Sequence, residues 1–389
     1  MKVIRFFIIV LVLISLSLGI LLCFSTPPPF VNPLSLHSPA LPPSPTYQPR
    51  LFGFLPYWNL NKVNRASLSS LTDVAYFALD LNADGTIKEN INRREKDPGW
   101  YSFTTKFLPQ KNTLLPQGAK SHLVINFQDN DAITAFLKDL NAQKISLQTI
   151  NNLVNQYSFD GLNLDFETSD PNQAALANSF TQYISALSTQ LKQNHPPTIL
   201  SLDVYANAAS TAKIWNLPQL EPFVDYFIIM TYDYTRPSSP VAGPVAPIYP
   251  APTSRHALLV NLKEYSQVLP KEKILIGIPL YGYEWQTEST NAYAPTFKGT
   301  GRLATLGRIQ SLIDTLPLTI LKDPDTLASR LSIIDGGHFF QIYFEDLSTL
   351  KAKAKLALDS RLGGLAFWAM GYENNVDIWT PIHQGLNPL

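Results

Sequence analysis

Beyond residue 49 the chain alternates short apolar runs with stretches of helical spacing. The runs are Leu51–Tyr57, Val74–Leu79, His122–Phe127, Gly161–Glu167, Ile199–Tyr205, Tyr226–Tyr232, Ile274–Tyr281 and Gly364–Trp368. Each has the length of a β-strand. The clearest helix between them opens with Asp170 as cap, Pro171 at the first helical position and Gln173 closing a capping box. Leu176, Phe180, Ile184, Leu187 and Leu191 continue it as an apolar stripe. Asp131–Leu140 and Ser146–Tyr157 read as two further helices. Eight strands with intervening helices predict an α/β fold, a (β/α)8 TIM barrel. A doubly wound open sheet is the rival, weakened because no Gly-rich phosphate turn follows any strand. The spacing breaks once, where about 80 residues separate Tyr281 from Gly364. Residues 286–344 are therefore expected to form a small inserted α+β module after the seventh strand, with Phe339–Phe344 as one of its strands. It would stand as a wall beside the barrel mouth.

The fourth run organises the rest. In Phe159-Asp160-Gly161-Leu162-Asn163-Leu164-Asp165-Phe166-Glu167 the apolar residues frame three polar ones. Side chains alternate along a strand, so Asn163, Asp165 and Glu167 share a face. Such a row is costly in a core unless paired or used, and two neighbouring acids lift one pKa toward the range of a general acid. An edge strand with a solvated carboxylate face is the plainer reading. Catalysis in a barrel sits at the C-terminal strand ends. Those ends carry Tyr57, Trp58, Asp165, Glu167, Tyr205, Tyr232, Asp233, Tyr281, Tyr283, Trp285 and Trp368. Two acids inside a ring of aromatics outline a polysaccharide site, although any one aromatic could simply close the barrel top.

Composition narrows the classes. The 389 residues balance 30 basic against 30 acidic side chains, which leaves no nucleic-acid footprint. One cysteine, Cys23, permits no internal disulfide. The six histidines, at 37, 122, 195, 256, 338 and 383, are too scattered for a zinc site, and no metal or other cofactor is expected. Phe6 to Phe24 carry no charge and follow Lys2 and Arg5. Residues 1–25 thus read as a signal anchor in the membrane, with a cleaved signal peptide as competitor. A lipid attached at Cys23 is disfavoured by bulky Leu22. Residues 26–49 hold nine prolines and no charge before Arg50, a Pro-rich extended linker; an SH3-type ligand there would be out of place on an exported segment. The expected location is the cell surface, or the medium if the leader is cleaved.

Three marks now resemble one family. Asp160-Gly161-Leu162-Asn163-Leu164-Asp165-Phe166-Glu167 is similar to the D-G-x-D-x-D-x-E motif of glycoside hydrolase family 18, the chitinase and N-acetylglucosaminidase family. Met230-Thr231-Tyr232-Asp233 resembles its M-x-Y-D mark, and Trp368 its tryptophan ending the eighth strand. The likeness covers nearly all of 50–389. Asn163 departs from the motif's Asp, as in the bacterial spore-cortex-type branch, which 242–247 and 277–283 also resemble. The resemblance implies hydrolysis of β-1,4-linked N-acetylglucosamine glycans with help from the substrate's own acetamido group. It implies Glu167 as acid and then base, Asp165 orienting the acetamido nitrogen, and Tyr232 bonding its carbonyl. Trp368 would stack under the sugar, and Asp233 would fix its distortion. Asn163, Met230, Tyr57, Trp58, Tyr281 and Trp285 complete the expected substrate contacts, with Asn163 also holding Asp165 by a hydrogen bond. Chitin, peptidoglycan and the core of an N-linked glycan remain open as polymers, and a monomer is expected. Two rivals stand beside this reading. One is a non-catalytic sugar-binding barrel, a kind that commonly loses the acid present here; the other is a surface-anchored structural protein.

Overall fold

A computed structural model describes residues 47–194, 196–252 and 254–387. The first strands are β1 (Arg50–Pro56) and β2 (Asp73–Asp80), followed by a small hairpin of β3 (Asn90–Asn92) and β4 (Glu95–Lys96). Then come β5 (Lys120–Phe127), β6 (Gly161–Phe166), β7 (Ile199–Tyr205), β8 (Tyr226–Met230) and β9 (Ile274–Pro279). An antiparallel group follows: β10 (Tyr281–Thr287), β11 (Arg302–Thr305), β12 (Leu321–Lys322), β13 (Ser329–Asp335) and β14 (His338–Phe344). The last strand is β15 (Gly364–Trp368). Strands β1, β2, β5, β6, β7, β8, β9 and β15 close in that order into a parallel barrel, as the (β/α)8 reading requires.

The barrel closes because each strand buries both faces. Outward residues pack under the helices: Phe166 of β6 lies 5.7 Å from the Phe180 ring and 6.1 Å from Phe136. Inward, Phe52, Phe54, Ala75, Val124, Ile228, Leu275 and Ala366 fill the axis. At the floor the Asp73 carboxylate takes hydrogen bonds from Arg50 (2.7 Å) and Thr72 (2.6 Å) and pairs with His122 Nε2 at 2.8 Å. Gly161 lies against that His122 ring, where an added Cβ would stand 2.1 Å from Nδ1. Asp160, the first residue of the sequence mark, accepts from Ser121 N–H and from Lys120, so it anchors the floor.

The apolar stripe of the long helix is buried as expected, but the helix starts later, at Ala177–Leu191. Asp170 instead accepts from Asn172 N–H in a local turn, and Gln173–Leu176 form a 3-10 segment. The Gln173 side chain faces Ile214 N–H at 3.4 Å and closes no capping box. Asp129 and Asp139 cap the two preceding helices, which run Asn130–Lys138 and Leu140–Gln156.

The inserted module is a five-stranded sheet in the order β11-β10-β14-β13-β12 with the helix Leu306–Thr315. It begins at Tyr281 rather than at the expected Gln286. The seventh barrel strand stops at Pro279, Leu280 N–H turns to Trp368 O at 2.7 Å, and Tyr281 pairs antiparallel with Thr305. Tyr47, within the stretch read as linker, already donates its hydroxyl to the Leu362 carbonyl. The apolar stretch 6–24 lies outside the described residues. Among those described, no helix is long and apolar enough to cross a membrane.

Candidate active site

The end of β6 presents the acids. Asp165 is the last inward residue of the strand, and Glu167 follows it, fixed by its own N–H to Phe127 O at 2.9 Å. Gln128, just past β5, donates Nε2 to Glu167 Oε1 at 2.7 Å and also bonds Asp165. Tyr205, ending β7, donates its hydroxyl to Glu167. Burial raises the Glu167 pKa, against the pull of the Tyr205 bond and of the Arg236 charge. Burial, with the Glu167 and Asp203 charges added, pushes Asp165 well above the usual carboxylate range. Buried Asp165 Oδ1 has no hydrogen-bond partner among the described residues.

Gln128, Asp165, Glu167 and Asp203 line a well of about 200 Å3. Trp368, from the end of β15, shares its wall with Phe54, Phe77, Met230 and Tyr232. Phe77 supports Trp368 edge-on, with ring centres 4.5 Å apart. Asp233 sits at φ 60°, a left-handed turn that Asp tolerates better than most residues. Its Oδ1 accepts from the Tyr281 and Tyr283 hydroxyls at 2.6 and 2.8 Å. Both tyrosines come from β10, so the inserted sheet does form one wall of the mouth, together with Leu303 of β11. A second cavity of about 350 Å3 shares Phe77, Gln128 and Trp368 with the first. Tyr57, Trp58, Asp80, Asp97 and Asn126 line it, so Tyr57 and Trp58 border this space and not the first well.

Two expected substrate contacts are corrected. Asn163 is fully buried, and its Nδ2 donates to Ser201 Oγ (3.1 Å) and Asp203 Oδ1 (2.9 Å). It neither reaches the well nor holds Asp165, because residue 163 lies one inward layer below the mouth. Trp285 is 0 % exposed and donates Nε1 to Pro237 O at 3.2 Å. It shares a face with Tyr281 and Tyr283, but the well ends at Tyr283 and Trp285 packs in the module core with Tyr343.

Six residues of the site escape the sequence reading: Phe54, Phe77, Gln128, Asp203, Arg236 and Leu303. Asp203 had a signal, since Ser201, Asp203 and Tyr205 repeat within β7 the polar alternation of Asn163, Asp165 and Glu167. Gln128 follows a strand end, where chemistry concentrates. Leu303 and Arg236 carry no comparable mark. Together the groups can hold a proton on a carboxyl above the usual range and deliver it to a ligand lying on Trp368.

The family model described as Glycosyl hydrolases family 18 matches residues 50–373. The Uncharacterized glycosylase YvbX of Bacillus subtilis (strain 168) is 24% identical over 269 residues, covering 66% of this chain and 72% of that one. The Cortical fragment-lytic enzyme of Bacillus anthracis is 23% identical over 320 residues, covering 80% and 68%. Among solved structures, the GH18 chitinase from Cycas revoluta in complex with (GlcNAc)3 superposes with a TM-score of 0.74 at 19% identity, over 87% of this chain and 100% of that one. At that identity the likeness speaks for the fold.

Proposed function

Because the chain belongs to the glycosyl hydrolases family 18 and is a glycosidase, we propose that it cleaves β-1,4-linked N-acetylglucosamine glycans, as in chitin or peptidoglycan, with Glu167 as the one proton donor and with retention of configuration. The observation that carries this reading is the distribution of carboxyls around the well. A two-carboxylate retaining enzyme places its acid and its nucleophile about 5–5.5 Å apart, flanking the scissile bond. Here Asp165 stands on the same strand face as Glu167, Asp203 is engaged by the Asn163 amide, and Asp233 is engaged by two tyrosine hydroxyls. Among the described residues no carboxyl is left to face Glu167 as a free nucleophile, which supports the acetamido-assisted route that this family follows.

In that route Glu167 gives its proton to the glycosidic oxygen while the acetamido oxygen attacks the anomeric carbon and the old bond breaks. Asp165 takes a hydrogen bond from the acetamido N–H and faces the cationic ring that forms. The Tyr232 hydroxyl bonds the acetamido oxygen, Met230 and Trp368 pack on the sugar, and Asp233 bonds its distorted form. The Glu167 carboxylate then takes a proton from the water that opens the ring on the same face. The printed names of the relatives, a cortical fragment-lytic enzyme and a chitinase bound to (GlcNAc)3, support glycans of this class. Proton NMR of fresh chitotetraose digests tests the reading: β-anomers are expected to appear first. First-formed α-anomers, or equal cleavage of cello-oligosaccharides, would overturn it. Mass analysis of parallel chitin and peptidoglycan digests identifies the polymer. We also propose export to the cell surface on the strength of the apolar segment 6–24; protease treatment of intact cells should remove the domain, and its full protection would refute export.

A further inference from the structure

Asp203 is a buried carboxyl at the well that the chemistry above leaves without a role. It lies on β7, whose register against β6 pairs Asn163 with Ser201 and Leu164 with Leu202. The next inward residues, Asp165 and Asp203, therefore lie level on adjacent strands, and both line the well. We infer that Asp203 is a positioning residue for the reaction: held as a carboxylate by Asn163 beside Asp165, it makes the Asp165–Glu167 pair keep its proton toward neutral pH. This inference rests on the assignment of Asp165 and Glu167 above.

The argument is one of unequal support. Burial and the Glu167 charge push Asp203 well above the usual carboxylate range, against the pull of the bond that Asn163 Nδ2 donates to its Oδ1 at 2.9 Å; an amide donor of this kind stabilises the ionised form. Asp165 has only the amide of Gln128, which it shares with Glu167, and its Oδ1 has no partner among the described residues. Adjacent buried carboxyls do not both ionise cheaply, so the proton settles on the less supported side. The other groups facing this pair do not change the balance. Tyr205 on the same strand donates to Glu167, and Tyr232 beyond β8 stays neutral through burial. Asp233 is turned to Tyr281 and Tyr283. The Arg236 charge acts on Glu167 and Tyr205.

The test is the isosteric Asp203→Asn. It keeps an oxygen to accept from Asn163 and removes only the charge, so a purely structural Asp203 predicts no change in pH dependence. Both limbs of the kcat/KM profile on chitotetraose are expected to move to lower pH by about one unit. Ser201→Ala, which removes the other Asn163 acceptor without altering charge, should leave the profile in place. Coincident profiles for wild type and Asp203→Asn would overturn the inference. Carboxyl carbon NMR of Asp165 in the substrate-free enzyme gives a readout independent of turnover: its titration should fall in Asp203→Asn, and an unmoved titration sinks the role. A wild type inactive on N-acetylglucosamine oligomers would overturn the proposed reaction, while the titration still decides the part played by Asp203. If Asp203→Asn does not fold, Asp203→Ser serves in the same titration.

Discussion

Replacing Glu167 by Gln removes the transferable proton and keeps the contacts that place the side chain. Gln128 Nε2 donates to Glu167 Oε1 at 2.7 Å, and the Tyr205 hydroxyl donates to the same carboxyl. The amide oxygen still accepts from Gln128, leaving an NH2 that donates but cannot give up its hydrogen. The step lost is general acid catalysis, a factor of about 10²–10⁴, or about 3–5 kcal/mol of barrier. Because the same residue activates water in the second half, both half-reactions slow, so the upper end of that range is expected. Affinity should stay within a factor of about three, since no ground-state contact is removed. The assay pairs kcat for chitotetraose hydrolysis, by chromatography of products, with Kd from calorimetry on the inactive variant. Turnover within tenfold of wild type would refute the role of Glu167. A loss of affinity as large as the loss of kcat would make it a holding residue and not an acid.

Further outcomes follow from burial. Asp165 binds its proton more tightly folded than unfolded, because burial and the Glu167 and Asp203 charges raise its pKa. That contribution to stability is full below the ordinary Asp range and is lost as pH rises through the raised value. Asp165→Asn should therefore melt later than wild type at pH 8, by about 1–2 kcal/mol, and alongside it at pH 3.5; calorimetry showing the same gap at both would contradict this. Lys353 Nζ is fully buried, 2.5 Å from Glu345 and 2.7 Å from Ala246 O. Lys353→Met should cost about 3–5 kcal/mol in urea unfolding, most of it recovered by adding Glu345→Leu; no recovery would assign the cost to packing. Trp285→Leu should lower stability by about 2–4 kcal/mol with KM unchanged, and a raised KM would return Trp285 to the glycan groove.

What the sequence makes legible is whatever alternation and motif order record. Strand existence follows from apolar runs, and Asp165, Glu167, Tyr232, Asp233 and Trp368 meet at one well, as their strand-end positions require. Depth along the axis is not recorded. Asn163 and Asp165 look equivalent in sequence, yet one inward layer separates a buried amide from a mouth carboxyl. The start of the inserted sheet is hidden for a related reason. Ile274–Tyr281 reads as one apolar run, and only the Leu280 bond to Trp368 O divides it. Helix starts were displaced because Asp129 and Asp139 outcompete later positions as caps. Asp203 is marked in sequence only by the Ser201, Asp203, Tyr205 alternation, because its partner, Asn163, is remote in sequence and adjacent only in register.

The barrel's two ends treat their polar groups differently, and that asymmetry bears on why the site lies where it does. At the floor Asp73 is met by Arg50, Thr72 and His122, and these bonds, with the His122 and Arg50 charges, outweigh burial and leave its pKa low. The unmet atom noted there among the described residues, His122 Nδ1, lies against Gly161. Toward the mouth, Asn126 Oδ1 and Asp165 Oδ1 are buried without a hydrogen-bond partner among the described residues. Each such group costs about 1–3 kcal/mol. They cluster on the C-terminal halves of β5 and β6, beside the walls that the inserted sheet and Trp368 complete. A ligand with its own donors recovers part of that cost on binding, and an acetamido N–H over Asp165 is the donor that the proposed reaction supplies. Binding would thus draw on strain already present in the fold; Asp165→Asn keeps an oxygen there and loses only the charge that burial and its acidic neighbours oppose, so it should weaken binding while gaining stability at pH 8.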